Sequence, residues 1–204
     1  MKLAVYRRRS TDIGGLVSIE SVVIPPLREG EALVRLLAAP INPADRLAIM
    51  GIYADLPPLP ACPGDEGVGE VVELGGDTDA PEVGSWVLLP PGAGSWSTHT
   101  VVPVDDLVEV PNSLEPLELS VVRVAVCTAY KLIERALHLG VGDAVILNAG
   151  NSTVSMLFTQ MARDHEFKVV SIVRSDEAAA MARRAGADHC FVAAAGEHEI
   201  DLTG

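Results

Sequence analysis

One turn in the second half of the sequence brings a glycine together with hydroxyl and amide side chains. Segment 148–155 begins with Asn148, Ala149 and Gly150, follows a short apolar stretch and leads into a helical pattern. The first N–H groups of a helix have no partner within the helix, so such a turn can bind a phosphate. Only Gly150 matches the G-x-G-x-x-G fingerprint of dinucleotide sites, and a helix capped by Ser or Asn explains the same residues. The two interpretations are compatible, because capping side chains can also donate to phosphate oxygens.

A second candidate anion-binding turn follows the next predicted strand, at residues 168–173. Arg174 ends that strand, and Ser175 and Asp176 come directly after it. In a nucleotide-binding fold an acidic residue here accepts hydrogen bonds from the ribose of NAD, whereas an arginine provides a planar fork for the 2′-phosphate of NADP. The sequence therefore favours NADP. An exposed arginine at a strand end is the simpler alternative, and Asp176 could either repel the phosphate or cap the following helix.

Tyr53 is a candidate catalytic phenol in a loop of the first half of the chain. It stands between Gly51 and the prolines Pro57, Pro58 and Pro60. A phenol with an ordinary pKa near 10 can donate a hydrogen bond to an oxygen on which negative charge develops. The alternative is a tyrosine that only packs within a proline-rich loop, and the local sequence does not separate the two.

The cysteines and histidines predict neither a disulfide framework nor a metal site. Cys62, Cys127 and Cys190 are widely spaced and form no C-x-x-C pair, and the five histidines show no ligand spacing. Free cysteines of this kind fit a reducing compartment, which predicts a soluble cytoplasmic protein. The arginines at 7–9 are compatible with a transit peptide, but the residues that follow favour the end of an N-terminal strand.

The composition limits the partners that the chain can bind. Of the 204 residues 49% are hydrophobic, which is enough for one large core or two small ones. Lys and Arg number 15 against 28 Asp and Glu, for a net charge of −13. Nucleic acids and anionic membranes need clustered positive charge, and no apolar run reaches the length of a membrane span. We therefore expect neither as a partner, and any basic residue that faces an anionic ligand must act locally.

The candidate residues must be positioned by two regions that differ in their sequence pattern. Up to residue 113, short β-rich stretches alternate with Gly, Pro and Asp, which predicts a mostly antiparallel β domain. The apolar spacing over 114–139 predicts helices, and from residue 143 the order of strand, turn and helix predicts the βαβ units of a parallel sheet. The predicted strands are 31–38, 67–74, 85–89, 97–103, 107–110, 144–147, 168–173 and 189–193, and helices are predicted at 153–163 and 175–185.

Seven segments spread over the chain together resemble one family. They are Gly51-Ile52-Tyr53 with the prolines, Pro63-Gly64-Asp65-Glu66-Gly67-Val68, Gly94-Ser95-Trp96, Cys127-Thr128-Ala129-Tyr130, Gly142-Asp143 to Asn148-Ala149-Gly150-Asn151-Ser152, Val173-Arg174 and Ala185-Gly186-Ala187-Asp188-His189. On these segments the chain resembles the zinc-free 2-enoyl thioester reductases, in the quinone oxidoreductase branch of the medium-chain dehydrogenases. The resemblance implies an α/β fold: a GroES-like, mostly antiparallel β domain at 1–113, then bridging helices and the N-terminal half of a Rossmann NADP-binding domain at 114–204.

The resemblance also implies roles for single residues. Zinc-dependent members carry a metal-ligating Cys and His where this chain has Asn42 and Asp65. We therefore expect no metal, and reduction of an activated double bond rather than alcohol oxidation. Tyr53 matches the family's catalytic tyrosine, and NADPH is the implied cofactor. Its phosphates would lie at Asn151, Ser152, Thr153 and Val154, with the 2′-phosphate near Arg174, Ser175 and Asp176.

The sequence departs from the family pattern in three respects. Ala125-Val126 replace the usual Asn-Pro, which removes one expected hydrogen bond to the cofactor, and Thr153-Val154-Ser155 replace Gly-Val-Gly, which makes close backbone approach to the pyrophosphate harder. Family members are also considerably longer than this chain, so we expect that a chain ending at Gly204 is a truncated product or a fragment.

Three functions compete on this basis. The first is NADPH-dependent reduction of the C=C bond of an α,β-unsaturated carbonyl, above all a trans-2-enoyl thioester. The second is an NADPH:quinone or 2-alkenal reductase, and the third is a non-catalytic remnant that binds no cofactor well. The expected substrate is thus a small acyl thioester or a quinone, and the resemblance is compatible with a homodimer.

Overall fold

The structure is a computed structural model that describes residues 1–77, 81–136 and 138–193. The chain divides into two compact units, Met1–Arg123 and Val124–Gly204. The domain limits expected from the sequence, 1–113 and 114–204, remain a prediction. Within the described residues, no helix is both long and apolar enough to cross a membrane.

An antiparallel sheet of five strands forms the centre of the first unit. The strands lie side by side in the order β6-β3-β4-β5-β7, and every pair is antiparallel. Alternate residues of a strand point to one face, and most of the buried residues on these strands are alanine or valine. The strands are β3 Glu31–Ala38, β4 Val68–Leu74, β5 Trp86–Leu88, β6 His99–Pro103 and β7 Val108–Val110. The core of this sheet is Ala32, Val34, Val71, Val87, Leu89, Val102 and Val104.

A smaller sheet and one helix flank the loop that carries Tyr53. Strands β1 (Lys2–Tyr6) and β2 (Val17–Ser21) pair antiparallel, and the arginines at 7–9 directly follow β1. Helix α1 (Pro43–Met50) starts with a proline, whose missing N–H costs nothing at a helix start. It ends at Gly51, which has the left-handed φ of 81° that favours glycine at this position.

The helices predicted over 114–139 occur, but two of their segments are of an unusual type. Helix α2 is Pro116–Leu119, and α3 (Cys127–Lys131) is flanked by π-helical segments at Val122–Val126 and Leu132–Ala136. A π-helical turn hydrogen-bonds residue i to i+5 and is rare. Apolar spacing in the sequence predicts a helical face, but it does not distinguish this wider turn from an α-helix.

The second unit contains a parallel sheet, as the sequence predicted. The strands lie in the order β10-β9-β8 among the described residues, and both pairs are parallel. Val169, Ser171 and Val173 of β9 are buried, and Val169 packs against Phe158 in the helical layer. The elements are β8 Ala144–Leu147, α4 Thr153–Ala162, β9 Lys168–Val173, α5 Asp176–Ala185 and β10 His189–Val192.

Gly150 lets the turn after β8 lie directly against β9. Its N–H donates to the carbonyl oxygen of Ile172 at 3.0 Å. A Cβ atom at this position would lie 2.5 Å from Cβ of Ser171, which is closer than real Cβ atoms approach. Ser171 is fully buried, so it has no open space into which it can move.

Gly150→Ala should therefore destabilise the second unit by about 1–3 kcal/mol, the usual cost of overpacking. Chemical unfolding followed by circular dichroism measures the change. Gly140→Ala is the matched control, because its Cβ would meet only Asp143 Oδ2 at 3.7 Å. If both variants unfold at the wild-type denaturant concentration, the turn is not held by this close contact.

Candidate functional site

Tyr53 lines a cavity of about 550 Å³ within the first unit. Four parts of the chain supply the walls: the end of β1, helix α1, the loop from residue 51 to residue 65, and the turn at Pro91 and Gly92. The polar side chains of the lining are two phenols, three carboxyls and one thiol. They belong to Tyr6, Tyr53, Asp45, Asp55, Asp65 and Cys62.

The end of α1 determines where Tyr53 emerges. The N–H groups of Gly51 and Ile52 donate to the carbonyl oxygens of Ala48 and Leu47, which closes the last turn of the helix. Tyr53 follows this turn directly and is 43% exposed. Its phenol is therefore accessible to a small molecule, and its catalytic role remains a prediction.

Asp45 is a buried carboxyl in the wall of this cavity. It is 4% exposed and accepts a hydrogen bond from the backbone N–H of Asn42 at 2.7 Å. Burial raises the pKa of Asp45 above its usual value, and the negative charge of Asp65 acts in the same direction. Hydrogen bonds from the backbone of Asn42, Asp65 and Gly64 oppose that increase.

Asn42 and Asp65 are already engaged in hydrogen bonds within the protein. The amide nitrogen of Asn42 donates to Glu66 Oε1 at 2.9 Å, and Asp65 Oδ1 accepts from the N–H of Gly92 at 2.8 Å. In residues 1–77, 81–136 and 138–193 there is no group of three or more His, Cys, Asp or Glu side chains arranged to hold a metal ion. The zinc-free character inferred from the family pattern stays a prediction.

The sequence did not identify the other polar groups that line the cavity. Burial raises the pKa of the Cys62 thiol to about 11, and its Sγ donates to the carbonyl oxygen of Gly94 at 3.2 Å. Burial also raises the pKa of Tyr6, and the nearby guanidinium of Arg9 opposes that increase. The apolar pattern of β1 could have shown that Tyr6 is buried, but no local signal shows which residues it meets.

The turn between β8 and α4 leaves backbone donors free at the helix start. Ser152 caps α4, and its Oγ accepts from the N–H of Ser155 at 3.3 Å. Within the part of the chain that the structure describes, the N–H groups of Asn151, Thr153 and Val154 form no hydrogen bond. These are the predicted phosphate-binding positions, and free N–H groups at a helix start suit an anion. The serine cap is thus observed, and phosphate binding at the same turn stays a prediction.

The turn between β9 and α5 is built in the same way. Ser175 caps α5 by accepting from the N–H of Ala178 at 3.2 Å, so Asp176 is the first residue of the helix and not its cap. An acidic residue in the first turn favours a helix by its charge. Arg174 is exposed, and its guanidinium has no ion pair or hydrogen bond to any described residue. Because the side chain is exposed, it is accessible to a ligand.

The structure brings these two turns to one edge of the parallel sheet. Leu147 and Ser171 are neighbours in the pairing of β8 with β9, and both strands run towards the same edge. Ligands of open α/β sheets bind at the carboxyl ends of the strands. Seven predicted site residues lie in these turns: Asn151, Ser152, Thr153, Val154, Arg174, Ser175 and Asp176. The remaining one, Tyr53, belongs to the first unit, and the roles of all eight stay predictions.

Curated proteins similar to this chain are enoyl reductases. The GroES-like domain of alcohol dehydrogenases matches residues 28–112. A mitochondrial enoyl-[acyl-carrier-protein] reductase of Xenopus tropicalis is 38% identical over 179 residues, which are 85% of this chain and 51% of that protein. The same enzyme of Homo sapiens is 35% identical over 164 residues, which are 80% of this chain and 44% of that protein. The chain thus spans about half the length of the curated relatives it matches.

Solved structures support the same fold. The mitochondrial 2-enoyl thioester reductase heterodimer of Candida tropicalis is 26% identical with a TM-score of 0.83, over 93% of this chain and 59% of that one. The quinone oxidoreductase of Thermus thermophilus, also solved with NADPH, is 27% identical with a TM-score of 0.78. The match covers 93% of this chain and 59% of that one. The predicted GroES-like antiparallel domain followed by a partial Rossmann-type parallel sheet is confirmed.

Asp45 should give the protein a distinctive dependence of stability on pH. Between pH 3.8 and the raised pKa of Asp45, the folded protein holds a proton that the unfolded chain has lost. The contribution of Asp45 to stability is therefore full below pH 3.8 and declines as the pH rises through this window. Asp45→Asn does not titrate, so the stability of the wild type relative to this variant should fall as pH rises.

Chemical unfolding at a series of pH values measures this difference. Asp55→Asn, which changes an exposed carboxyl of the same cavity, is the matched control. A wild type and an Asp45→Asn variant whose stabilities run parallel over the whole pH range would contradict the expected effect of burial.

Proposed function

We propose that this chain, which belongs to the medium-chain dehydrogenase/reductase family, carries the catalytic tyrosine and cofactor-binding turns of an NADPH-dependent reductase of activated C=C bonds. The substrate class that we propose is the trans-2-enoyl thioesters. The observation that carries the proposal is the place of Tyr53 in the cavity of a chain that is similar to enoyl reductases over most of its length.

The two turns of the second unit suit the phosphates of NADPH. The N–H groups of Asn151, Thr153 and Val154, which form no hydrogen bond to a described residue, can hold the pyrophosphate, and the exposed guanidinium of Arg174 can hold the 2′-phosphate. NADPH, when bound, supplies the hydride that is added to the β-carbon of the substrate. The Thermus thermophilus protein binds NADPH, and the Etr1p protein, 25% identical with a TM-score of 0.84, was solved with NADP and crotonyl-CoA.

Tyr53 is the group of this chain proposed to act on the substrate. When a C=C bond conjugated to a carbonyl is reduced, negative charge develops on the carbonyl oxygen. A phenol that donates a hydrogen bond to this oxygen stabilises the charge, and it can also help to deliver the proton to the α-carbon. Tyr53 is accessible and lines the cavity, so it can make this hydrogen bond without first leaving a buried site.

The acidic lining of the cavity favours an uncharged reacting group. Asp45, Asp55 and Asp65 all contribute to the lining, and none of the lining residues is Lys, Arg or His. A free carboxylate would be repelled by these carboxylates, whereas a thioester or ketone carbonyl would not. This observation supports thioesters over free 2-enoic acids.

Reduction of quinones or 2-alkenals is the second candidate. The similarity to the quinone oxidoreductase of Thermus thermophilus favours it, and both kinds of substrate are uncharged. Steady-state rates with crotonyl thioester and with a quinone, measured side by side, separate the two activities.

The Candida tropicalis relative is a heterodimer, so we also propose that the active protein is a dimer. The curated relatives are mitochondrial proteins, and the cytoplasmic location expected from the cysteines stays a proposal.

Tyr53→Phe should lower the turnover of crotonyl thioester about 100- to 1000-fold, the usual effect of losing one donor to a developing oxyanion. NADPH affinity should not change, because Tyr53 lies outside both cofactor-binding turns. Stopped-flow or steady-state absorbance of NADPH gives the turnover, and fluorescence titration gives the affinity.

Tyr130→Phe is the matched control, since Tyr130 is an exposed tyrosine of α3 in the second unit. It should retain the wild-type turnover. Full turnover by Tyr53→Phe would remove Tyr53 from the mechanism.

Arg174→Ala should weaken NADPH binding about 10- to 100-fold, which corresponds to the loss of charge-assisted hydrogen bonds to the 2′-phosphate. NADH affinity should remain at its wild-type value, because NADH has no such phosphate. Arg184→Ala, which changes an exposed arginine in the last turn of α5, is the control for a loss of charge alone. An equal loss of affinity for NADPH and for NADH in Arg174→Ala would contradict the role of Arg174. If the wild type itself shows no saturable NADPH binding, the result would support the non-catalytic remnant.

A further inference from the structure

One arginine connects the end of β1 to the loop that carries Tyr53. The aliphatic part of Arg9 lies against Gly51 at the start of the loop, where a Cβ atom would be only 2.9 Å from Cδ of Arg9. Further along the loop, Nη2 of Arg9 donates a hydrogen bond to the carbonyl oxygen of Pro57. Tyr53 lies between these two contacts, so Arg9 spans the short segment that presents the phenol.

The residues around Arg9 hold the same loop from the same strand end. Tyr6 and Ala61 exchange two backbone hydrogen bonds, at 2.9 and 3.0 Å, which fasten the far end of the loop to β1. Tyr6 is 1% exposed, and the positive charge of the nearby Arg9 opposes the rise that burial causes in the pKa of Tyr6. The Nε atom of Arg9 is itself buried. The inner part of the guanidinium therefore lies against the loop, while Nη2 reaches Pro57 near the surface.

We propose that Arg9 is a positioning residue, which holds the loop from Gly51 to Ala61 so that Tyr53 faces the cavity. The inference rests on the proposed function for its consequence in catalysis. Arg9 does not line the cavity and need not touch the substrate. A hydrogen-bond donor stabilises developing charge well only if it is already oriented before the reaction, because reorientation costs free energy. A charged guanidinium bound to a carbonyl oxygen provides a strong hold of this kind.

Limited proteolysis tests the hold on the loop without any assay of activity. Chymotrypsin cleaves after aromatic residues, and Tyr53–Ala54 is such a bond within the loop, whereas Leu56 and Leu59 both precede prolines. Arg9→Met keeps an aliphatic side chain beside Gly51 and removes the guanidinium. We expect cleavage at Tyr53–Ala54 to become about tenfold faster, while cleavage after Phe158 in the second unit keeps its wild-type rate.

Arg8→Met is the matched control, because Arg8 is the exposed neighbour of Arg9. It should be cleaved at the wild-type rate. If Arg9→Met does not fold, Arg9→Lys serves instead, since it retains the charge but lacks the guanidinium that donates to Pro57. Cleavage of the folded Arg9 variant at the rate of wild type and of Arg8→Met would overturn the proposal.

A pair of substitutions tests whether Arg9 acts through Tyr53. Arg9→Met alone should lower kcat for crotonyl thioester about tenfold with unchanged NADPH affinity, and should add no loss in a Tyr53→Phe background. A further tenfold loss in that background would overturn the proposal, because Arg9 would then act independently. Full turnover by Tyr53→Phe would refute the proposed function alone, and the cleavage rates would still decide whether Arg9 holds the loop.

Discussion

The cavity depends on the hydrogen bonds of Asn42, because this one residue ties the start of α1 to the loop before β4. Its backbone N–H donates to Asp45 Oδ2 at 2.7 Å, and its side-chain amide donates to Glu66 Oε1 at 2.9 Å. Burial of a charge is unfavourable unless hydrogen bonds satisfy it. The N–H of Asn42 offsets part of that cost for Asp45, and burial still raises the pKa of the carboxyl. The start of α1 and the loop before β4 are therefore held together at Asn42, and Asp45, Gly64 and Asp65 meet in the lining of the cavity.

A steric constraint has the corresponding role in the second unit. The turn after β8 must approach β9 so closely that only a glycine fits at position 150. Ala149, next to it, adopts a φ of 49°, a left-handed conformation that L residues seldom adopt. The turn thus combines a close approach with a strained residue, and the helix that follows begins with free N–H groups. Local strain of this kind is retained where the surrounding structure enforces it.

The sequence predicted the elements far better than the contacts between them. The bounds of β3, β8 and β9 match the expectation, because each is an apolar or alternating stretch between clear turn residues. The π-helical segments around α3 were not predicted, since each is only five residues long and an apolar pattern over so short a stretch does not separate a π-helical turn from an α-helical one. Tyr53 and the two turns were found from their types and from the family resemblance. Tyr6, Arg9 and Asp45 were missed, because the tertiary pairing of Tyr6 with Ala61 that brings these segments together leaves no local trace.

The charge of the chain explains why its candidate anion site is built mainly from backbone. With a net charge of −13, the long-range field of the protein repels a nucleotide phosphate. At physiological ionic strength that field is screened beyond about 8 Å, whereas a donor in direct contact is not. The N–H groups at the start of α4 that have no partner among the described residues, together with the guanidinium of Arg174, act only at such short range. They attract a phosphate that has already reached the sheet edge, so binding depends on geometry at the two turns and not on the overall charge.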